Sequence, residues 1–150
     1  MKFPYQPVTS AELRTVVGPR PGARALSDVI VWHMYAKGAR PGGIYNRRPV
    51  RGKTVLTVGN ASLHAAGRAV DIMVPNINVG DEILLRLLKA ADAIGVCEII
   101  WNRKRYTSKG IAPYKGKSPH TDHLHIGLTA DMADNRSPKL KEWIAHFMFG

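Results

Sequence analysis

Two short stretches carry most of the chain's reactive side chains. The first is Ser62-Leu63-His64-Ala65-Ala66-Gly67-Arg68-Ala69-Val70-Asp71; the second is His120-Thr121-Asp122-His123-Leu124-His125-Ile126. Between them they hold most of the histidines, and each sets a carboxylate beside them. Imidazole nitrogen and carboxylate oxygen suit Zn²⁺, and three protein ligands with one open position is the arrangement of a catalytic zinc. His64, Asp71 and His125 are read as that triad, holding one Zn²⁺ ion. Such a ligand set leaves the ion partly charged, so that water bound to it is acidified toward neutrality. Hydrolysis also needs a group to carry the water's proton, and Asp122 and His123 both qualify. In a regular strand His123 shares a face with His125 while Asp122 faces away, unless a bend precedes the strand. Ser62, two residues before His64, is placed to orient a ligand or the substrate, and Gly67 suits a close turn.

The elements that must position these residues follow from patterning. Thr9-Ser10-Ala11-Glu12 reads as a capping box opening a short helix to about Val17, stopped by Gly18-Pro19-Arg20-Pro21-Gly22. Ser27 caps a second helix, Asp28 to about Lys37, closed by Gly38. Lys53 to Val58 has the β-branched content of a strand. Ala69 to Val74 reads as a strand with Ala69, Asp71 and Met73 on one face and Val70, Ile72 and Val74 on the other. Asn78 or Asp81 opens a helix to about Ile94, its stripe formed by Ile83, Leu84, Leu87, Leu88 and Ala91, with Gly95 as C-cap. Val96 to Trp101 is a buried strand. Asn102 to Pro119 is a hairpin with a long basic loop, and His123 to Leu128 is another strand. Ser137 and Pro138 start a final helix ending near Phe149. Strands mixed with helices, without regular βαβ alternation, give an α+β fold in a single domain over residues 1–150.

Composition narrows the function classes. A hydrophobic content of 45% in 150 residues fits one globular core. No run approaches the ~18–20 apolar residues of a membrane span. Met1-Lys2-Phe3-Pro4-Tyr5 offers no apolar stretch for a signal peptide, so synthesis in the cytoplasm is expected. The single cysteine, Cys97, excludes an intrachain disulfide and lies in an apolar run, as a buried inert thiol does. A net charge of +11 calls for an anionic partner. The basic residues form only local clusters, at Arg47-Arg48, Arg51-Lys53 and Arg103-Lys104-Arg105, with no nucleic-acid-binding module, so anionic wall polymer is the better account. A nucleic-acid binder would show salt-sensitive binding that survives loss of zinc. His33 and His146 read as packing or surface histidines, and Trp101 and Tyr106 as core. Glu98, just ahead of Ile99-Ile100-Trp101, reads either as a site contact or as a salt bridge at the sheet edge.

The S-x-H-x-x-G-x-A-x-D and H-x-D-H-x-H patterns resemble the M15 family of zinc peptidases, the D-alanyl-D-alanine carboxypeptidase and peptidoglycan endopeptidase group, over roughly Gly43 to Leu128. They are similar also to the wider set that includes lysostaphin-like enzymes and hedgehog domains. The resemblance implies a small antiparallel sheet carrying the zinc site, with flanking helices. It favours Asp122 as base, by analogy with the family's D/E-x-x-H pair. It implies Arg48 as the donor to the developing oxyanion, with Arg47 and Arg51 as rivals, and His120 near the transition state. It points to an enzyme cutting amide bonds in peptidoglycan stem peptides or cross-links; a monomer is the default expectation. Gly43 to Gly52 and Ile100 to Arg103 are also similar to the peptidase domains of phage endolysins, which a holin-type partner releases to the wall. The alternatives are a bacterial D,D-carboxypeptidase and a catalytically silent zinc-containing wall-binding module.

Overall fold

The computed structural model describes residues 1–47, 49 and 56–150. Its frame is a six-stranded sheet, β1 (Arg40–Pro41), β2 (Ala69–Met73), β3 (Val96–Trp101), β4 (Lys104–Thr107), β5 (Gly110–Pro113) and β6 (His123–Leu128). The strand order is β1-β2-β6-β3-β4-β5, every pairing antiparallel. Five helices accompany it: α1 (Ser10–Thr15), α2 (Pro21–Met34), α3 (Ile77–Ile94), α4 (Ala130–Ala133) and α5 (Leu140–Phe149). The fold is therefore α+β, as the mixed patterning predicts. Among the described residues no helix is long and apolar enough to cross a membrane.

Strand parity divides the sheet into two faces. Val70, Ile72, Ile99, Trp101, Tyr106, Leu124, Ile126 and Leu128 meet the apolar sides of α2, α3 and α5 in the main core. Each Leu or Ile buried there contributes about 1.5–3 kcal/mol. The opposite face carries Asp71, Ile100, His123 and His125, all lining one cleft. A smaller apolar cluster, Val8, Leu63, Ala65, Ala66, Ala69 and Cys97, closes one end of that face. The central strand β3 is buried along its whole length because both of its faces are covered. A register shift between Val96 and Glu98 keeps Val96 on the helix face while Glu98 joins Ile100 on the cleft face.

Helix boundaries differ from the sequence reading in α2, α3 and α5, the last beginning at Leu140 rather than at Pro138. α2 begins at Pro21 rather than Asp28, because proline's fixed φ suits the first helical position and Gly22 fits where a Cβ would lie 1.8 Å from the Met132 carbonyl oxygen. It ends at Met34 and runs into a 3₁₀ turn, Tyr35–Lys37, closed by Gly38. α3 begins at Ile77, capped by Asn76, whose Oδ1 accepts from Val79 N at 3.0 Å. Asp81 instead accepts from Trp101 Nε1 at 2.9 Å at the margin of the core. Of the strand expected over Lys53 to Val58, residues 53–55 lie outside the described residues, and Val58 opens a 3₁₀ turn instead.

The first motif is anchored from below. Arg68 is 1% exposed. Its guanidinium donates to Glu12 Oε2 at 2.8 Å, to Leu128 O at 3.0 Å and to Gln6 O at 2.9 Å. Glu12 closes the predicted capping box with Thr9 and also pairs with Arg20, which reaches Asp134 at 2.8 Å. One ion network thus ties the N-terminal segment, α1, the end of β6 and the segment after α4 to the residue between Gly67 and β2. Gly67 itself has φ +64°, and a Cβ there would lie 2.3 Å from Gly18 O, so a side chain at this turn would be both strained and crowded.

Candidate metal centre

His64 lies in the 3₁₀ turn Leu63–Ala66, whose N-cap is Ser62; the Ser62 hydroxyl accepts from His64 N at 3.3 Å. Ser62 therefore orients a site residue through its backbone, and it also lines the cleft. Asp71 and His125 stand directly opposite each other on β2 and β6, so parity alone points both into the cleft. Gly42 and Gly43 run beside Asp71, with Gly42 N donating to Asp71 O at 2.8 Å and Asp71 N to Gly43 O at 3.0 Å. A Cβ on Gly42 would lie 2.7 Å from Asp71 Cβ, so this close approach needs glycine.

Three atoms converge. His64 Nε2 is 3.1 Å from Asp71 Oδ1, His125 Nδ1 is 3.2 Å from His64 Nε2, and His125 Nδ1 is 3.7 Å from Asp71 Oδ1. Together they form a group that could hold a metal ion. The far side of each imidazole is already committed. His64 Nδ1 lies 3.0 Å from Ile44 O, a carbonyl that can only accept, so Nδ1 carries the proton and Nε2 presents a lone pair to the triad. His125 Nε2 lies 2.8 Å from Glu98 Oε1, which places a proton there and turns Nδ1 inward. Carbonyl and carboxylate partners on the outer nitrogens are the usual means by which metal-binding imidazoles are oriented.

Carboxylates flank the imidazoles and set the electrostatics. Burial disfavours charge on His125, yet Asp71 and Glu98 on either side outweigh it and push its pKa up to about 9. Burial would raise Asp71, but its contacts with His125 and His64 hold it well below the usual carboxylate range. Glu98 is likewise held at about 2, because His125 and Arg105 outweigh its burial. A protonated His125 accordingly holds a positive charge between Asp71 and Glu98.

The other predicted residues separate into those at the cleft and those away from it. His120 and His123 line it, their ring centroids 4.5 Å apart. His120 has φ +53° in the bend before β6, and its Nδ1–H donates to Ser118 O at 2.8 Å, so Nε2 is left as an acceptor. Burial pushes its pKa down to about 4, so it is neutral at pH 7. A neutral ring with that tautomer offers Nε2 as a hydrogen-bond acceptor. Asp122 is not brought to the triad: its side chain is 75% exposed and its Oδ1 meets His123 Nδ1 at 2.7 Å. The bend before β6 does not override strand parity, so Asp122 reaches the cleft only through His123. Arg48 and Arg51 lie outside the described residues, and Arg47 is exposed, donating to Leu13 O at 2.6 Å. His33 stacks on Phe149 and His146 edges Phe147, both remote from the cleft lining.

Of its two readings, Glu98 takes the site contact: it accepts from His125, and its ion pair with Arg105 Nε at 2.6 Å lies on the central strand β3 rather than at a sheet edge. Arg105 was visible only as one of a basic cluster. Its place in the cleft depends on β4 pairing with β3, where it stands opposite Ile100. The cleft, about 470 Å³, is also lined by Tyr5, Tyr114 and Ser118.

Residues 29–125 match the family model described as VldE, C-terminal domain. The match covers more than half of the chain and contains all three triad residues, so the chain belongs to this family. Neither the curated proteins nor the solved structures hold a match to it.

Proposed function

We propose that this member of the VldE C-terminal-domain family is a zinc-dependent peptidase of M15-like chemistry, hydrolysing amide bonds in the stem peptides or cross-links of peptidoglycan, in the manner of a phage endolysin. The observation that carries the reading is the convergence of three acceptor atoms from His64, Asp71 and His125, each imidazole already donating from its other nitrogen. With His125 Nδ1 deprotonated, all three would present lone pairs toward one point, as a bound cation requires. Ligand bonds of about 2.0–2.1 Å in a tetrahedron give ligand-to-ligand edges of about 3.3 Å, and the observed 3.1, 3.2 and 3.7 Å bracket that value. Two imidazoles and one carboxylate suit zinc over calcium or magnesium, which take oxygen ligands. Zinc held there would polarise a scissile carbonyl and lower the pKa of water.

The chain's own residues supply the rest. His123 is the better proton carrier, because the Asp122 carboxylate on Nδ1 stabilises the imidazolium formed when Nε2 takes the water's proton. Nε2 then returns the proton to the leaving amine. His120 has no such partner, and its burial disfavours the charged form. Ser62 and Ile44 hold His64, and Glu98 holds His125, so the ligand geometry exists before substrate arrives. The net charge of +11 favours residence on an anionic wall.

Mass spectrometry of fragments from purified peptidoglycan, digested with and without a zinc chelator, tests this reading. Chelator-sensitive release of new free amines supports it, and the fragment masses name the bond. Fragments lacking only a terminal D-alanine would move the enzyme to the D,D-carboxypeptidases. No cleavage by zinc-loaded protein would refute the hydrolase and leave a silent binding module.

A further inference from the structure

We propose that Arg105 forms a carboxylate-binding subsite on the cleft floor, selecting peptides that carry a free carboxylate about one to two residues from the bond cut. This rests on the peptidase reading above and specifies its substrate.

The sheet register places the subsite. Asp71 stands opposite His125, His125 opposite Ile100, Ile100 opposite Arg105, and Arg105 opposite Ala112. Directly opposed residues of antiparallel strands project from one face, so this is a single row crossing the cleft floor. Strands lie about 4.8 Å apart, which puts the Arg105 backbone roughly 10 Å along the row from that of His125, while its guanidinium leans back toward His125 and shares the Glu98 carboxylate with it. An extended peptide advances about 3.3–3.6 Å per residue, so a chain laid along the row reaches the guanidinium about one to two residues from the proposed metal ligands. Ile100 supplies an apolar step between the two.

The guanidinium is prepared for this use. Its Nε–H donates to Glu98 Oε2 at 2.6 Å, which fixes the plane of the fork, and the cation lies 4.9 Å over the Tyr5 ring. Nη1 and Nη2 have no hydrogen-bond partner among the described residues, and the side chain is 36% exposed at the cleft. Those two nitrogens match a carboxylate in bidentate geometry, which lysine cannot reproduce. Glu98 does not cancel the attraction once metal is bound: two carboxylates, one guanidinium and a divalent ion leave the floor with one net positive charge.

The test uses two synthetic stem peptides that differ only in a free carboxylate or a carboxamide at one residue. Binding to the zinc-loaded full chain is read by calorimetry and cleavage by chromatography, for wild type, Arg105→Gln and Arg105→Lys. A charge-assisted pair predicts about 10- to 100-fold tighter binding of the carboxylate form by wild type. In Arg105→Gln that ratio falls to near one, and in Arg105→Lys it falls between the two. Equal affinity for both forms in wild type, or a preference that survives Arg105→Gln, overturns the subsite. Cleavage without preference would overturn the subsite and leave the peptidase reading standing. Preferential binding without cleavage would do the reverse.

Discussion

Replacing Glu98 tests how the metal centre is held. This carboxylate is 6% exposed and sits between His125 Nε2 at 2.8 Å and Arg105 Nε at 2.6 Å. Glu98→Ala leaves a buried imidazole N–H without its acceptor, at a cost of about 1–3 kcal/mol. It also frees the ring to adopt the other tautomer, whose Nδ1–H points at the ion. Loss of such an orienting partner typically weakens metal affinity about 10- to 100-fold, which agrees with that cost. Glu98→Gln keeps an acceptor but removes the charge, and should fall between wild type and alanine. Competition against a chromogenic zinc chelator at fixed pH reads the affinity, and circular dichroism checks the fold. Zinc affinity of folded Glu98→Ala within twofold of wild type would refute the assignment of Glu98 as the residue that orients His125.

Three further outcomes follow from the geometry. His123→Ala should lower kcat about 10²- to 10⁴-fold while zinc content stays at one equivalent, with a smaller loss in Asp122→Asn; equal losses in His120→Ala and none in His123→Ala would transfer the proton-carrying role. Because the His125 pKa is raised to about 9, charge on this ring stabilises the metal-free protein fully below its ordinary value of about 6.5, and that stability is lost as pH rises through about 9. Zinc binding near pH 7.5 should accordingly release about one proton from His125, read by calorimetry in buffers of different ionisation enthalpy. Arg68→Met should cost about 3–5 kcal/mol in denaturant unfolding, because it strips a buried partner from Glu12 and opens three backbone carbonyl contacts.

The triad was legible because ligand chemistry and strand parity agree in the sequence itself: Asp71 alternates against Val70 and Ile72, and His125 against Leu124 and Ile126. The strands Val96–Trp101 and His123–Leu128 have the bounds their patterning predicts, and Asn102-Arg103, both at positive φ, make the tight turn between β3 and β4. Arg105 was not legible as a cleft residue and Glu98 was left between two readings, since their positions depend on which strands pair and in what register, and no local pattern states that. Asp122 shows two signals in conflict. Motif spacing put it at the metal, while parity put it outside, and parity prevails because His123 to Leu128 is regular strand from its first residue. α2 shows the opposite failure, where Pro and Gly read as an interruption although Pro21 begins the helix.

The proposed chemistry requires one metal held by His64, Asp71 and His125. Zinc titration of chelator-stripped protein, followed by elemental analysis after gel filtration, measures that directly. One equivalent bound by wild type, with none retained by the folded double variant His64→Ala with His125→Ala, is the predicted result. Equal retention by wild type and double variant, or no zinc in either, would contradict it.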